Sequence, residues 1–220
     1  MKNKLIVSII LNAAIIIMAV VGLTFPLLGI NWMGLPYSTT GTVVIVLFTY
    51  QSNVFMIVPA AFLIVYEFLL LRGKITVIPT FVYATKLALS VGVTITLLVV
   101  LFFLAPMNEY GYFASFANSS LFFHLLLPLC AIVSFVFFEN TKSVKFHLVF
   151  LGMIHMVLYM LAYTIFVFSN LEGGAINPYY DFYGFFSAGI WMTPILFMIF
   201  LSLSFFVSLV LWHFNRKLAV

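Results

Sequence analysis

Six long apolar stretches constrain the fold of this chain of 220 residues more than any other feature. A helix needs ~20 largely apolar residues to cross the hydrocarbon core of a bilayer. The six stretches run approximately over residues 5–25, 43–71, 86–104, 121–138, 146–169 and 188–214. They do not show the alternating ~10-residue pattern of membrane barrels. The sequence therefore predicts an all-α, polytopic membrane protein with six transmembrane helices in a single domain, residues 1–220.

The composition agrees with a membrane protein and excludes other classes. Lys and Arg number 9 and Asp and Glu number 5, so that charged residues make up 6% of the chain, against about 25% in soluble domains. So few charges cannot cover a soluble surface, and the apolar content is too high for a disordered chain. No nucleic-acid partner is expected, because the basic residues separate apolar stretches and form no patch.

The basic residues also predict the orientation in the membrane. In a six-helix chain they all fall on one side: Lys2, Lys4, Arg72, Lys74, Lys86, Lys142, Lys145, Arg216 and Lys217. The opposite loops contain Glu109, Glu172 and Asp181 but no Lys or Arg. Since basic residues are enriched in cytoplasmic loops, we expect cytoplasmic N- and C-termini and a multi-pass protein of the cell membrane.

Polar residues inside an apolar helix need a partner or a purpose, and the densest group is residues 49–53. At 100° per residue, Thr49, Ser52, Asn53 and Met56 share one helical face, while Gln51 points elsewhere. This face lines a cavity or supplies hydrogen bonds between helices. The sequence favours neither alternative.

Two of the histidines within the predicted helices, His124 and His155, are candidate functional residues. Thr49 is about six residues, or ~9 Å, from the outer end of its stretch, and His124 about four residues, or ~6 Å, so that the two could lie at matching depth. Pro128 lacks an N–H and removes the helical partner of the His124 carbonyl. An interfacial position is the alternative for His124. His155 lies near the midplane with Tyr159 one turn away; it faces a cavity or hydrogen-bonds to a neighbouring Tyr or Thr.

Other unusual polar features are interpreted as structural. Glu67 and Lys86 lie slightly inside the cytoplasmic boundary, where they pair or extend to the interface. The loop of residues 172–184 is rich in aromatic side chains and forms an interfacial belt or a lid over a cavity. No phosphate-binding loop and no His or Cys cluster at metal spacing occurs. We therefore expect no cofactor and no metal.

Three short segments carry a resemblance to a known family. Residues 48–53 (FTYQSN) resemble the F-T-x-x-[polar]-N signature of small bacterial six-helix proteins, which look distantly related to the eukaryotic androgen-induced membrane proteins that hydrolyse fatty acid esters of hydroxy fatty acids. Residues 124–129 (HLLLPL) are similar to the His-x-x-x-Pro element of that group. Residues 177–182 (NPYYDF) resemble its Tyr-Pro-Phe-acidic element.

The resemblance implies an intramembrane threonine hydrolase of lipid esters. Thr49 would attack the ester carbonyl and His124 would act as the general base. Ser52, Asn53, His155 and Tyr159 complete the candidate site as substrate-binding residues. Membrane lipids or lipid esters are the expected partners. A non-enzymatic protein that binds lipid or a small molecule, or a transporter subunit, is the alternative, and whether the chain is an enzyme stays open.

Overall fold

The computed structural model describes residues 2–34, 40–187, 189 and 191–219. It contains six helices that are long and apolar enough to span a membrane, which confirms the predicted all-α architecture. They are α1 (Lys2–Leu27), α2 (Phe48–Leu71), α3 (Thr80–Leu104), α4 (Ser119–Phe138), α5 (Phe146–Phe168) and α6 (Met192–Lys217). The predicted start of the sixth helix at Ala188 lies outside the described residues.

The two ends of the bundle differ. The basic end carries Lys2, the α2–α3 and α4–α5 links and Lys217, and side chains join these segments: Lys4 Nζ donates to Asn140 Oδ1 at 3.1 Å. The loop end carries the other three links, where the Asn118 side chain accepts hydrogen bonds from the Trp32 and Met33 amides at 3.1 and 3.0 Å. The candidate residues of the sequence lie toward the loop end and in the middle of the bundle.

Helix α3 forms the centre of the bundle and is the most buried of the six. Val91 and Ile95 pack into an apolar cluster with residues of α5 and α6. Val93, on another face, packs with residues of α1 and α4. A helix that is apolar on all sides is expected to be buried in this way. Its start lies at Thr80, after Pro79, and not near Lys86 as the hydropathy suggested, so that Lys86 lies inside the helix.

Prolines interrupt two of the helices near the candidate residues. Helix α2 breaks at Met56, three residues before Pro59, because a proline ring cannot donate to the carbonyl four positions earlier. Helix α4 contains a π-helical turn, Phe122–Leu126, in which the Leu127 amide donates to the Phe122 carbonyl. The expected disturbance at His124 thus takes the form of a π turn just before Pro128.

Glycines let α3, α5 and α6 approach each other closely. A Cβ atom on Gly152 of α5 would lie only 2.6 Å from Ser208 Cβ in α6 and 2.9 Å from Val91 Cγ2 in α3. Small residues commonly allow such close approach between transmembrane helices. The Ser208 hydroxyl donates to the Val149 carbonyl at 2.7 Å and secures the contact.

Candidate functional site

An apolar cavity of about 220 Å³ lies between α2, α3, α5 and α6 toward the loop end; we call it the Thr49 cavity. Its wall is formed by Phe48, Thr49, Ile95, Thr96, Val99, Val100, Leu104, Met156, Tyr159, Met160, Tyr183, Phe185 and Phe200. Four of these residues carry a hydroxyl group, and the rest are apolar. The cavity can therefore hold an apolar group and offers few polar contacts to it.

Thr49 lies at the second residue of α2, and its backbone is fixed by its own helix. The Thr49 carbonyl accepts hydrogen bonds from Ser52 Oγ at 3.1 Å and from Asn53 Nδ2 at 2.7 Å. Among the described residues we find no hydrogen bond to the Thr49 hydroxyl. The hydroxyl is the polar group of the cavity that is most available to a ligand.

Ser52 and Asn53 connect helices and do not line the Thr49 cavity. The Ser52 hydroxyl lies 3.2 Å from Thr96 Oγ1 in α3. Asn53 Nδ2 donates to the Phe123 carbonyl of α4 at 3.1 Å. Both side chains are fully buried. The polar face of α2 thus combines the two alternatives, because Thr49 lines the cavity and its two neighbours supply hydrogen bonds between helices.

Two tyrosines hold the start of α2 in place. Tyr159 of α5 lines the Thr49 cavity and donates from its hydroxyl to the Val46 carbonyl at 2.9 Å. The Tyr183 hydroxyl, from the loop between α5 and α6, accepts from the Phe48 amide at 3.1 Å. An amide in the first turn of a helix has no partner within that helix, so Tyr183 satisfies it. Tyr183 is 38% exposed and lies in the cavity wall.

Asp181 organises the loop of residues 169–187, which we call the Asp181 loop. Its Oδ1 accepts from the Tyr163 hydroxyl at 2.6 Å, and its Oδ2 accepts from the Phe186 amide at 3.1 Å and from both the amide and the hydroxyl of Ser187 at 2.7 Å. Burial raises the pKa of Asp181, but these hydrogen bonds together outweigh the burial and lower it below its ordinary value. The loop is therefore held against α5 by an ionised carboxylate.

His155 is buried in the middle of the bundle without a polar partner. It is 8% exposed, and neither ring nitrogen has a hydrogen bond within the described part of the chain. Its ring stacks on Phe48 at a centroid distance of 4.9 Å and meets Phe55 edge-on at 5.7 Å. One sequence-based interpretation is a hydrogen bond from His155 to Tyr159. This bond is not formed, because the Tyr159 hydroxyl donates to the Val46 carbonyl. Phe48 connects His155 to the Thr49 cavity, because it contacts both.

His124 lies in a second cavity, the His124 cavity, of about 490 Å³ between the α3–α4 link and the start of α4. Its Nδ1 lies 2.7 Å from the Ser115 carbonyl oxygen and must carry a proton to donate there, because a carbonyl only accepts. In the neutral form of the ring, Nε2 is then the acceptor. Thr49 is not part of this cavity. Leu104, at the end of α3, lines both cavities and forms their common boundary.

The structure thus brings Thr49, Tyr159 and, through Phe48, His155 together. It places His124 in the neighbouring cavity, and Ser52 and Asn53 in contacts between helices. The participation of these residues in catalysis or substrate binding stays a prediction. Sequence reasoning missed the second cavity, which is lined partly by loop residues such as Asn108 and Ala114, because hydropathy does not report how loops fold back onto helices.

Sequence reasoning also missed an ionic cluster near the basic end. Lys86 Nζ lies 3.4 Å from Glu139 Oε1, and both side chains are fully buried. The sequence predicts Glu67 as the partner of Lys86 or an interfacial position for each, and the structure pairs Lys86 with Glu139 instead. The signal for Glu139 was present in the sequence, because it directly follows the apolar run that ends at Phe138, but its position just outside that run indicated a loop residue.

Within the described residues, no group of three or more His, Cys, Asp or Glu side chains is placed to hold a metal ion. No protein-family model matches the chain, and comparisons with curated proteins and with solved structures find no match.

Proposed function

We propose that this protein binds a lipid chain in the Thr49 cavity, under the Asp181 loop. The observation that carries the proposal is a cavity of about 220 Å³ whose wall is apolar except for four hydroxyl-bearing residues. An apolar cavity of ~150 Å³ is large enough to hold benzene. A cavity of this size therefore suits a segment of an acyl chain and is small for an entire lipid.

The polar groups at the cavity support a ligand with one polar group close to its chain. Thr49 offers a hydroxyl without a partner among the described residues. The Tyr159 and Tyr183 hydroxyls already bond to the backbone at the start of α2. A carbonyl or hydroxyl of the ligand would bond to Thr49, and the chain would lie along Ile95, Val99 and Met160. This arrangement follows the general pattern of ligand sites, in which few polar groups orient an apolar ligand.

The Asp181 loop supports the proposal by covering the cavity. Tyr183 and Phe185 from this loop form part of the wall, and Asp181 anchors the segment through Tyr163 and Ser187. The loop thus acts as a lid more than as an interfacial belt.

Photo-crosslinking tests the binding site with a matched pair of variants. Val99→Phe fills the cavity, whereas Val65→Phe makes the same change on the α2 surface, where Val65 is 55% exposed. We expect a photoreactive fatty acid to label peptides of α3 and α5 in wild type, several-fold less in Val99→Phe, and normally in Val65→Phe. Equal labelling of all three proteins, measured by mass spectrometry in lipid nanodiscs, would contradict the proposal.

Hydrolysis of a lipid ester at Thr49 is the second candidate, favoured by the available hydroxyl in the wall of an apolar cavity. His124 Nε2 would take the Thr49 proton and return it to the leaving alcohol, and water would then release the fatty acid from the acyl-Thr49 ester. Both steps require His124 to reach Thr49 past Leu104, which lines both cavities. The purified variants would be assayed with a p-nitrophenyl ester of a fatty acid. Loss of turnover in both Thr49→Ala and His124→Ala supports this reaction. Turnover that survives in both variants excludes hydrolysis at Thr49, and lipid binding is then the only function proposed.

A further inference from the structure

The ionic cluster near the basic end contains more carboxyl groups than cations. Its ionisable members are Glu67, Lys86 and Glu139, which are 1%, 0% and 2% exposed. They come from α2, from α3 and from the residue directly after α4. Ser8 and Asn12 of α1 complete the cluster, and both are fully buried.

Lys86 and Glu139 form an ion pair, and both hydrogen-bond to the side-chain amide of Asn12. Lys86 Nζ donates to Asn12 Oδ1 at 2.5 Å and lies 3.4 Å from Glu139 Oε1. The same Glu139 oxygen accepts from Asn12 Nδ2 at 2.7 Å, from Ser8 Oγ at 3.5 Å and from the Ser134 hydroxyl. An oxygen that accepts several donors and faces an ammonium group belongs to an ionised carboxylate. Glu139 therefore uses the one positive charge of the cluster.

Glu67 is left with no cation of its own. The Ser8 side chain lies beside its carboxyl group, but the Ser8 hydroxyl donates to Glu139. Oε2 of Glu67 has no hydrogen-bond partner within the described part of the chain. The titratable groups that face it are Glu139, Lys86 and Tyr83, and Cys130 lies near the Lys86–Glu139 pair. None of these supplies a second positive charge. An uncompensated carboxylate in such a site is strongly destabilising.

We propose that the cluster is a proton-binding site and that Glu67 holds the proton. Binding forms an O–H bond on the Glu67 carboxylate with a proton from water at the basic end, and release returns it there. With the proton bound, the cluster contains one ammonium, one carboxylate and one neutral acid, and has no net charge. Glu67 is four residues from the end of α2 at Leu71, or ~6 Å along the axis, so the path to water is short.

The arrangement favours a proton over a metal cation. The Glu67 and Glu139 Oε2 atoms, which lack partners among the described residues, are oxygen ligands of the type that Na⁺ accepts. A metal ion there would lie beside the Lys86 ammonium, which already occupies the centre of the cluster. Charge repulsion disfavours this arrangement, and protonation of Glu67 removes the excess negative charge without it.

Infrared spectroscopy of the full chain in lipid nanodiscs tests the proposal. The carbonyl stretch of a protonated carboxylic acid is separate from that of a carboxylate, and the chain has only 5 Asp and Glu residues. We expect one protonated-acid band at neutral pH in wild type. This band should be absent from the spectrum of Glu67→Gln. It should be unchanged in the control variant Glu109→Gln, because Glu109 is an exposed loop residue. In Glu139→Gln the band should also disappear, because Lys86 then pairs with Glu67.

Thermal unfolding of the same proteins gives a second measurement. Gln has the shape of a protonated Glu, so Glu67→Gln should fold and unfold near the wild-type Tm, whereas Glu139→Gln should unfold at a clearly lower temperature. No protonated-acid band in wild type at neutral pH would overturn the proposal, as would a band that survives in Glu67→Gln or a failure of Glu67→Gln to fold. Loss of the wild-type band on addition of Na⁺ would overturn it in favour of a metal cation.

Discussion

Gly92 is the residue that makes room for His155 in the middle of the bundle. A Cβ atom at position 92 would lie 2.7 Å from His155 Nδ1 and 3.2 Å from Ser52 Cβ. The His155 ring in turn stacks on Phe48, which lines the Thr49 cavity. The absence of a side chain at Gly92 thus leaves room for the His155 ring that stacks on this wall residue of the cavity.

The first residue-scale prediction concerns this contact. Gly92→Ala should destabilise the protein by about 1–3 kcal/mol, the usual cost of overpacking, and should displace the His155 ring. In a His155→Ala background the same substitution should cost much less, because the colliding ring is gone. Thermal unfolding of the single and double variants measures this coupling. If the two substitutions changed the free energy of unfolding additively, the His155 ring would not be the group that an added methyl group at position 92 contacts.

For single residues, the sequence predicts which side chains share a helical face, but it does not predict which other residues they contact. The positions of Thr49, Ser52, Asn53 and Met56 on one helical face follow from 100° per residue, and the last three are buried as that face requires. Which of them lines a cavity depends on how α3 and α5 pack against α2. The location of His124 depends on the α3–α4 link, whose Ser115 carbonyl bonds to it.

At the scale of elements, the Asp181 loop links α5 to the start of α2. The Tyr163 hydroxyl, in α5, donates to Asp181. The same hydroxyl oxygen accepts a hydrogen bond from the Tyr183 amide at 3.1 Å. Tyr183 then bonds to Phe48. The loop conformation and the first turn of α2 are therefore set together.

The pH dependence of this loop follows from Asp181. Its pKa is lower in the folded loop than in an unfolded chain, so the carboxylate stabilises the loop above the ordinary range near 4, and this stabilisation is lost as pH falls through the folded-state pKa. Asp181→Asn should raise the corrected hydrogen-exchange rates of the Phe186 and Ser187 amides several-fold at neutral pH. Wild type should show the same increase only in acid.

Glu172→Gln serves as the control for this prediction. Glu172 lies in the same loop and is exposed, and among the described residues its carboxylate accepts only a surface hydrogen bond from Asn177 at 3.1 Å. Exchange at Phe186 and Ser187 should stay at the wild-type rate in this variant. Equal exchange in Asp181→Asn and wild type would contradict the role assigned to Asp181.

The helices themselves follow from sequence because each must satisfy its backbone within the membrane. Their ends depend on local groups that hydropathy averages out. Pro79 places the start of α3 before Lys86, and Glu139 is buried although it follows the last apolar residue of α4. The pairing of Lys86 with Glu139 instead of Glu67 is a property of the packed bundle, which brings α3 and α4 together around Asn12.

For the whole molecule, the distribution of basic residues predicts that the basic end faces the cytoplasm. Single cysteines introduced in a Cys130→Ser background test this orientation in intact cells. Glu172→Cys at the loop end should react with a membrane-impermeant maleimide, whereas Lys142→Cys at the basic end should react only after permeabilisation; both positions are exposed. The reverse pattern would invert the orientation.

The Lys86–Glu139 pair has a consequence for the order in which the chain assembles. Helix α3 precedes α4 in the chain, so Lys86 is synthesised before Glu139. During that interval Glu67, on the preceding helix, is the only acidic residue inside the first three helices and can act as a temporary counter-ion. We therefore expect a chain that ends after α3 to pair Lys86 with Glu67, whereas the complete bundle pairs it with Glu139.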